Sequence, residues 1–181
     1  MRFFADGPSL PDELLTARDA GDVLFFCGSG VSRASAGLPD FATLAEQVLD
    51  SLGSASDSPA RKLFNTGRSF EKAAKQTGLV ATDRVFGMLE REFEPREVRN
   101  AVAAALKPPA ACDLTPHRSL LDLSRDSAGD VRLVTTNFDR LFEDCEPGIA
   151  SYAPPRLPDP RRSADFRGII HLHGMRPVKA S

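Results

Sequence analysis

Three short apolar runs punctuate the chain, at residues 23–26, 131–134 and 168–170, and each gives way at once to a polar segment. The unbroken apolar character of residues 23–27 predicts a strand buried on both faces, as in parallel sheets. Strands are therefore expected over residues 23–27, 131–135 and 168–173, with a further short one at 149–152. Between them the apolar spacing turns helical. Ser9 as a cap, Pro11 in the first turn and the early acids Asp12 and Glu13 predict a helix closed by Gly21 and Asp22. Pro39 and Asp40 open another, through about Leu52, with Leu44, Val48 and Leu49 on one face. Residues 53–58 form a polar connector rich in Ser and Gly. Residues 60–107 contain no strand-like run and predict short amphipathic helices at 60–65, 70–76, 83–93 and 96–106, closed by Pro108-Pro109. Thr115-Pro116-His117 begins a helix carrying Leu120, Leu121 and Leu123. Residues 127–130 read as a turn, 139–144 as a helical turn, and 147–160, with five prolines, as loop.

Strands joined by helical crossovers predict an α/β fold, a Rossmann-like open parallel sheet with helices on both faces. A length of 181 residues fits one domain, 1–181, with a helical insert over about 54–110 that walls one side of the site. Apolar residues make up 41% of the chain, including twelve Phe, which is enough for a true core. The net charge of −2 is spread as mixed signs, so no basic footprint for direct nucleic-acid binding exists. The local group Arg156, Arg161, Arg162 and Arg167 reads as a solvated loop. Three cysteines (Cys27, Cys112, Cys145) without a C-x-x-C pair fit a reducing, cytoplasmic setting and exclude a zinc ribbon. The amino-terminal M-R-F-F-A-D-G-P is too short in apolar run for a signal peptide. No stretch of about eighteen apolar residues predicts a membrane span.

The chemistry concentrates where the strands end. Residues 27–41 read C-G-S-G-V-S-R-A-S-A-G-L-P-D-F, residues 135–139 read T-T-N-F-D, and residues 171–174 read H-L-H-G. Loops at the carboxyl ends of parallel strands are where open α/β sheets bind ligands. Three polar loops on one edge predict a nucleotide site with chemistry attached. Gly28 and Gly30 allow a backbone to approach a pyrophosphate closely. Arg33 stands where a Rossmann fingerprint needs its third glycine, and no Gly-Lys-Ser/Thr or G-x-S-x-G is present. Dehydrogenase, kinase-type and hydrolase-elbow readings therefore fail. In His171-Leu172-His173, alternate strand residues point the same way, which invites a metal. With His117 the sole further histidine, no metal shell is expected, and His171 is read as a packing or hydrogen-bonding neighbour of His173.

The longer strings carry a resemblance. Gly28-x-Gly30-Val31-Ser32 followed by Gly37-Leu38-Pro39-Asp40-Phe41 resembles the sirtuin signature G-A-G-x-S, then S-G-I-P-D-F-R. Thr135-Thr136-Asn137-Phe138-Asp139 is similar to that family's T-Q-N-I-D, and His173-Gly174 to its L-H-G. Leu114-Thr115-Pro116-His117 is similar to its P-N-x-x-H-x-x-L helix start, with shortened spacing. The four motifs follow family order from Val23 to Gly174. Ala42 replaces the arginine of P-D-F-R, Thr136 replaces the glutamine, and the paired zinc cysteines are missing. This pattern resembles the zinc-free sirtuin-like NAD-hydrolase branch of prokaryotic immune proteins.

The resemblance implies an NAD glycohydrolase module that cleaves NAD to nicotinamide and ADP-ribose, an effector in antiphage defence with no zinc. It implies that Asn137 holds the nicotinamide ribose and the attacking water, and that His173 is the catalytic histidine. It implies that Gly28, Ser29, Gly30 and Ser32 form the dinucleotide loop. Asp40 and Asp139 match family acids around the nicotinamide carboxamide and also read as helix caps, and Phe41 is implied to bind the cofactor. The implied partners are NAD, a carboxyl-terminal sensor domain or partner protein, and further copies of the chain when active, with no membrane. The alternatives are an NAD-dependent protein deacylase, disfavoured by the missing zinc cysteines, and a non-catalytic sensor of NAD or ADP-ribose. The family fold continues past the histidine motif, so this chain reads as part of a longer protein, weakly active or inactive by itself.

Overall fold

A computed structural model describes residues 9–160 and 166–175. The chain divides into two compact units, Met1–Ala36 with Ala111–Ser181, and Gly37–Ala110. In chain order the elements are α1 (Asp12–Asp19), β1 (Phe25–Cys27), α2 (Gly30–Ala36), α3 (Phe41–Ser51), α4 (Pro59–Ala74), α5 (Thr82–Glu92), α6 (Pro95–Ala105), α7 (Thr115–Leu123), β2 (Arg132–Thr135), α8 (Leu141–Cys145), β3 (Ser151–Tyr152) and β4 (Gly168–His171). The amino-terminal segment, Arg161, Arg162 and the tail beyond residue 175 lie outside the described residues.

The first unit holds one four-stranded sheet in the order β1-β2-β4-β3, every pair parallel. Flanked by helices, it is the open α/β layer expected from alternating apolar runs and helical spacing. One face packs Cys27, Leu133 and Ile169 against Leu121 of α7 and Phe142 of α8. The other face packs Val134 and Ile170 against Phe166. Arg132 lies on that second face with its guanidinium 5.8 Å from the Phe166 ring centroid. It donates to the carbonyls of Gly21 and Pro160, so a buried cation ties the end of α1 to the middle of the sheet.

Several expectations are corrected. Ser9 does not cap α1; Pro11 occupies that position, with no side-chain bond to the helix. Its fixed φ suits it to a helix start, where its missing N–H costs nothing. The run at 23–27 yields only three strand residues, and Phe26 is 64% exposed. Among the described residues β1 is an edge strand, paired to β2, and an apolar run encodes extended backbone without fixing what covers it. The strand expected to reach His173 ends at His171, and Leu172 and His173 form a turn.

In the second unit, the two helices expected at 60–65 and 70–76 are one continuous α4, capped by the Ser58 hydroxyl, which accepts from the Arg61 N–H at 3.2 Å. Gly67, between those two expected segments, is a close approach: a Cβ there would stand 3.1 Å from the Val80 Cα. This unit spans Gly37–Ala110 and includes α3, which buries Leu44, Ala45, Val48 and Leu49 and packs on α4, α5 and α6. Glu71, buried on α4, accepts from the N–H groups of Leu79 and Val80 and from Arg68, which holds its carboxyl below the ordinary range.

Gly168 is where backbone freedom is indispensable. Its φ is +124°, and an added Cβ would lie 2.1 Å from the Ala150 carbonyl oxygen. That carbonyl accepts from the Ile169 N–H at 2.9 Å, so the contact cannot open without unpairing β3 from β4. Gly168→Ala is expected to destabilise the fold by about 1–3 kcal/mol, read as a fall in the urea midpoint. An unchanged midpoint would contradict the positive φ at this position.

Candidate functional site

Cys27, Thr135 and His171 form one rung across β1, β2 and β4. Each is the last residue of its strand, so the three loops leave the carboxyl edge side by side. The ladder runs one residue further: the Thr136 N–H donates to Cys27 O at 3.1 Å, and the Leu172 N–H to Thr135 O at 2.9 Å. The fold thus brings together the three loops that the sequence singled out.

The first loop is only Gly28 and Ser29, because Gly30 already begins α2. Neither Gly28 nor Gly30 has positive φ. A Cβ at Gly28 would meet Thr136 Oγ1 at an ordinary 3.9 Å, and one at Gly30 would meet nothing within 4 Å among the described residues. Neither the turn nor the packing around it requires glycine at these two positions. Ser32, on the first turn of α2, is buried.

The second loop bends back over the sheet. The Asn137 N–H donates to Thr135 Oγ1 at 3.0 Å, a local hydroxyl turn that pulls residue 137 inward. Asn137 is 5% exposed. Its Nδ2 donates to Ser32 Oγ at 3.0 Å, whereas its Oδ1 is buried with no hydrogen-bond partner among the described residues. Asp139 is also buried, and its carboxylate accepts from the Leu141 N–H at 3.2 Å at the start of α8. In the third loop His173 is exposed, its ring centroid 6.2 Å from that of Phe138.

Two buried histidines brace this edge. The His171 Nδ1 lies 3.0 Å from the Asn137 carbonyl oxygen, which can only accept, so Nδ1 carries a proton. Its Nε2 lies 2.8 Å from Glu143 Oε1, which also accepts from Ser151 Oγ at 2.6 Å. Burial opposes charge on both groups. For His171 the bonds to Glu143 and to the Asn137 carbonyl outweigh it and raise the pKa above the ordinary imidazole value. For Glu143 the bonds from His171 and Ser151 outweigh it and lower the pKa. Both shifts favour an imidazolium paired with a carboxylate, joining β4, α8 and β3 next to the Asn137 loop. His117 on α7 is wholly buried, with Nε2 3.2 Å from Ser32 Oγ and Nδ1 3.3 Å from Ser35 Oγ. Burial lowers its pKa, more strongly than the charges of Asp139 and Asp113 raise it. The Phe142 ring edge holds its plane at 4.9 Å.

The two histidines of H-L-H do not share a face, since β4 ends between them and one is buried while the other is exposed. Both nitrogens of His171 are occupied. Among the described residues no three His, Cys, Asp or Glu side chains are placed to share an ion. Cys27 and Cys145 are pushed up by burial, which keeps them as thiols. Of the arginine group, Arg167 pairs with Asp130 at 3.2 Å, and Arg156 is exposed. Among the described residues no helix is long and apolar enough to cross a membrane.

Asp40 and Phe41 belong to the second unit. The Asp40 carboxylate accepts from the Thr43 N–H at 2.9 Å and caps α3, and Phe41 stacks on Phe86 at 5.6 Å. Sequence reasoning missed Glu143, Ser35 and Ser151, and it saw His117 only as a helix-start match. Residues 139–144 read as a helical turn, and nothing local marks residue 143 as the partner of a histidine 28 positions later.

No protein-family model matches the chain, and no solved structure does. An uncharacterized protein of Sinorhizobium fredii (strain NBRC 101917 / NGR234), y4cA, is 35% identical over 183 residues, covering 96% of this chain. The chain spans 14% of the length of that relative.

Proposed function

We propose that this chain is an NAD glycohydrolase module of the sirtuin-like, zinc-free kind, an effector that cleaves NAD to nicotinamide and ADP-ribose. The observation that carries the reading is the Asn137 carboxamide. It sits at the carboxyl edge of a parallel sheet, where such folds bind nucleotides, with one end bonded and its oxygen buried and unpaired. A buried acceptor without a partner costs about 1–3 kcal/mol, and a ligand hydroxyl or water would relieve that cost. Gly28 and Gly30 support the reading, because their lack of side chains has no internal reason and suits a closely approaching pyrophosphate.

On this reading water adds to the anomeric carbon as the bond to nicotinamide breaks. Nicotinamide leaves neutral, carrying the electron pair that quenches its ring charge. Asn137 Oδ1 accepts from the water or a ribose hydroxyl, and His173 takes the proton released. The buried Asp139 carboxylate favours the cationic, oxocarbenium-like transition state. Gly28, Ser29, Gly30 and Ser32 hold the pyrophosphate side. The roles of Asp40 and Phe41 rest on the resemblance alone.

The test is nicotinamide release from NAD by the full-length gene product, unaltered and as His173→Ala. His173 is exposed, so its removal should leave stability within about 0.5 kcal/mol. The rate should fall by about 10²–10⁴. Equal release by both proteins would overturn the reading. Release that depends on an acyl-peptide would point to deacylation instead.

A further inference from the structure

The hydrogen bonds around His117 have a single consistent direction. The Ser35 hydroxyl donates its proton to the Val31 carbonyl at 2.8 Å. Its oxygen is then an acceptor toward His117, so the proton on the ring must be on Nδ1, 3.3 Å away. Burial keeps this imidazole neutral, so it has one proton and Nε2 is bare. Ser32 must then donate to Nε2 across 3.2 Å, and its oxygen is left to accept from Asn137 Nδ2 at 3.0 Å. The carboxamide can meet that acceptor only with its nitrogen.

We infer that Ser35, His117 and Ser32 form a relay of positioning residues that sets which end of the Asn137 carboxamide stays free, so that the site takes a hydroxyl or water donor rather than an acceptor. The relay reaches Asn137 from α7 through α2, and no member of it needs to touch a ligand except Ser32. The inference rests on the NAD reading only for what Asn137 does next; the relay itself is a property of the empty fold.

The relay also makes the site sensitive to acid. A proton added to His117 turns Nε2 into a donor. Ser32 then accepts from the ring and gives its own proton toward Asn137, which can accept only through Oδ1. The carboxamide must turn over and present its NH2 group. The charges that favour this protonation are Asp139, on the loop before α8, and Asp113, ahead of α7; Phe142 is the apolar neighbour across the ring.

The experiment is nitrogen-15 NMR of the histidine side chains in the unaltered chain, without ligand, at pH 7.5 and on titration downward. The expected result is a single His117 tautomer protonated at Nδ1 at pH 7.5, with the Asn137 Nδ2 protons shifting as His117 gains its second proton. Ser35→Ala should let the Nε2-protonated tautomer appear, and Ser35→Thr, which keeps the hydroxyl, should restore Nδ1. A proton on Nε2 in the unaltered chain, or a tautomer indifferent to Ser35→Ala, overturns the relay. In NAD hydrolysis by the full-length product, Ser35→Ala should lower kcat about ten- to hundredfold with KM little changed. Loss confined to KM also overturns it. The tautomer is read without substrate, so failure of the relay and failure of the NAD reading are separate results.

Discussion

Asn137→Ala is expected to abolish nicotinamide release while leaving the fold essentially as stable as before. The two halves of this expectation come from the same side chain. The Nδ2 bond to Ser32 contributes about 1 kcal/mol, and the unpaired buried Oδ1 costs about 1–3 kcal/mol. Alanine removes both, so the net change in stability should lie within about 1 kcal/mol and can be of either sign. The catalytic loss is of another order. A preorganised acceptor at a reacting centre is worth about 10²–10³ in rate, so turnover should fall by at least that factor. The check is the nicotinamide release rate beside the denaturant midpoint of the same preparations. An Asn137→Ala protein that keeps its rate removes the site; one that loses several kcal/mol shows Asn137 to be a structural residue instead.

Glu143→Ala should produce the largest loss of stability, about 3–5 kcal/mol. It strands the His171 imidazolium in a fully buried position while the Ser151 hydroxyl also loses its acceptor. Because His171 also holds the Asn137 carbonyl, this loop should loosen first, visible as lost amide protection at residues 136–139. Glu143→Gln keeps the shape and should cost less. The pH dependence follows from the two directions of shift. His171 has a raised pKa, so its contribution is complete below the ordinary value of 6.5 and is lost as pH rises through the folded value. Glu143 has a lowered pKa, so its contribution is complete above the ordinary value of 4.5 and is lost as pH falls through the folded value. The pair therefore stabilises most between those limits. His117 acts oppositely: buried neutral, it makes the fold less stable as pH falls below 6.5. Subtracting the curve for Glu143→Gln from that of the unaltered chain isolates the pair. The difference should be largest between pH 4.5 and 6.5 and shrink on the alkaline side; a difference that grows with pH would show the pair to be uncharged.

The elements that were legible share a local cause. The runs at 23–27, 131–135 and from Gly168 announce strands because short, largely apolar segments bounded by polar turns favour extended backbone. The polar residues that follow announce the binding edge. The cap at Asp40 and the face of Leu44, Val48 and Leu49 describe α3 through interactions within one or two turns. Misreadings arose wherever a residue's meaning depended on something distant. Residues 60–76 read as two short helices because the approach of Val80 to Gly67 cannot be seen from either position alone. The run at 23–27 reads as fully buried, whereas Phe26 is 64% exposed, because apolar character does not disclose what covers a strand. The H-L-H pair looked like one face because the end of β4 is set by pairing to β2, whose own strand ends at Thr135.

The alternation of strand and helix, and with it the three loops on one carboxyl edge and the polar residues they carry, is written in the chain. Those properties follow from backbone periodicity and from neighbours a few residues apart. What the buried polar groups do depends on packing between distant segments. Ser32 meets a histidine 85 residues away and an asparagine 105 residues away, and His171 meets the Asn137 carbonyl and Glu143 together. A hydrogen bond requires donor and acceptor within about 3 Å, and placement that close across such separations is set by how crossovers and helices pack.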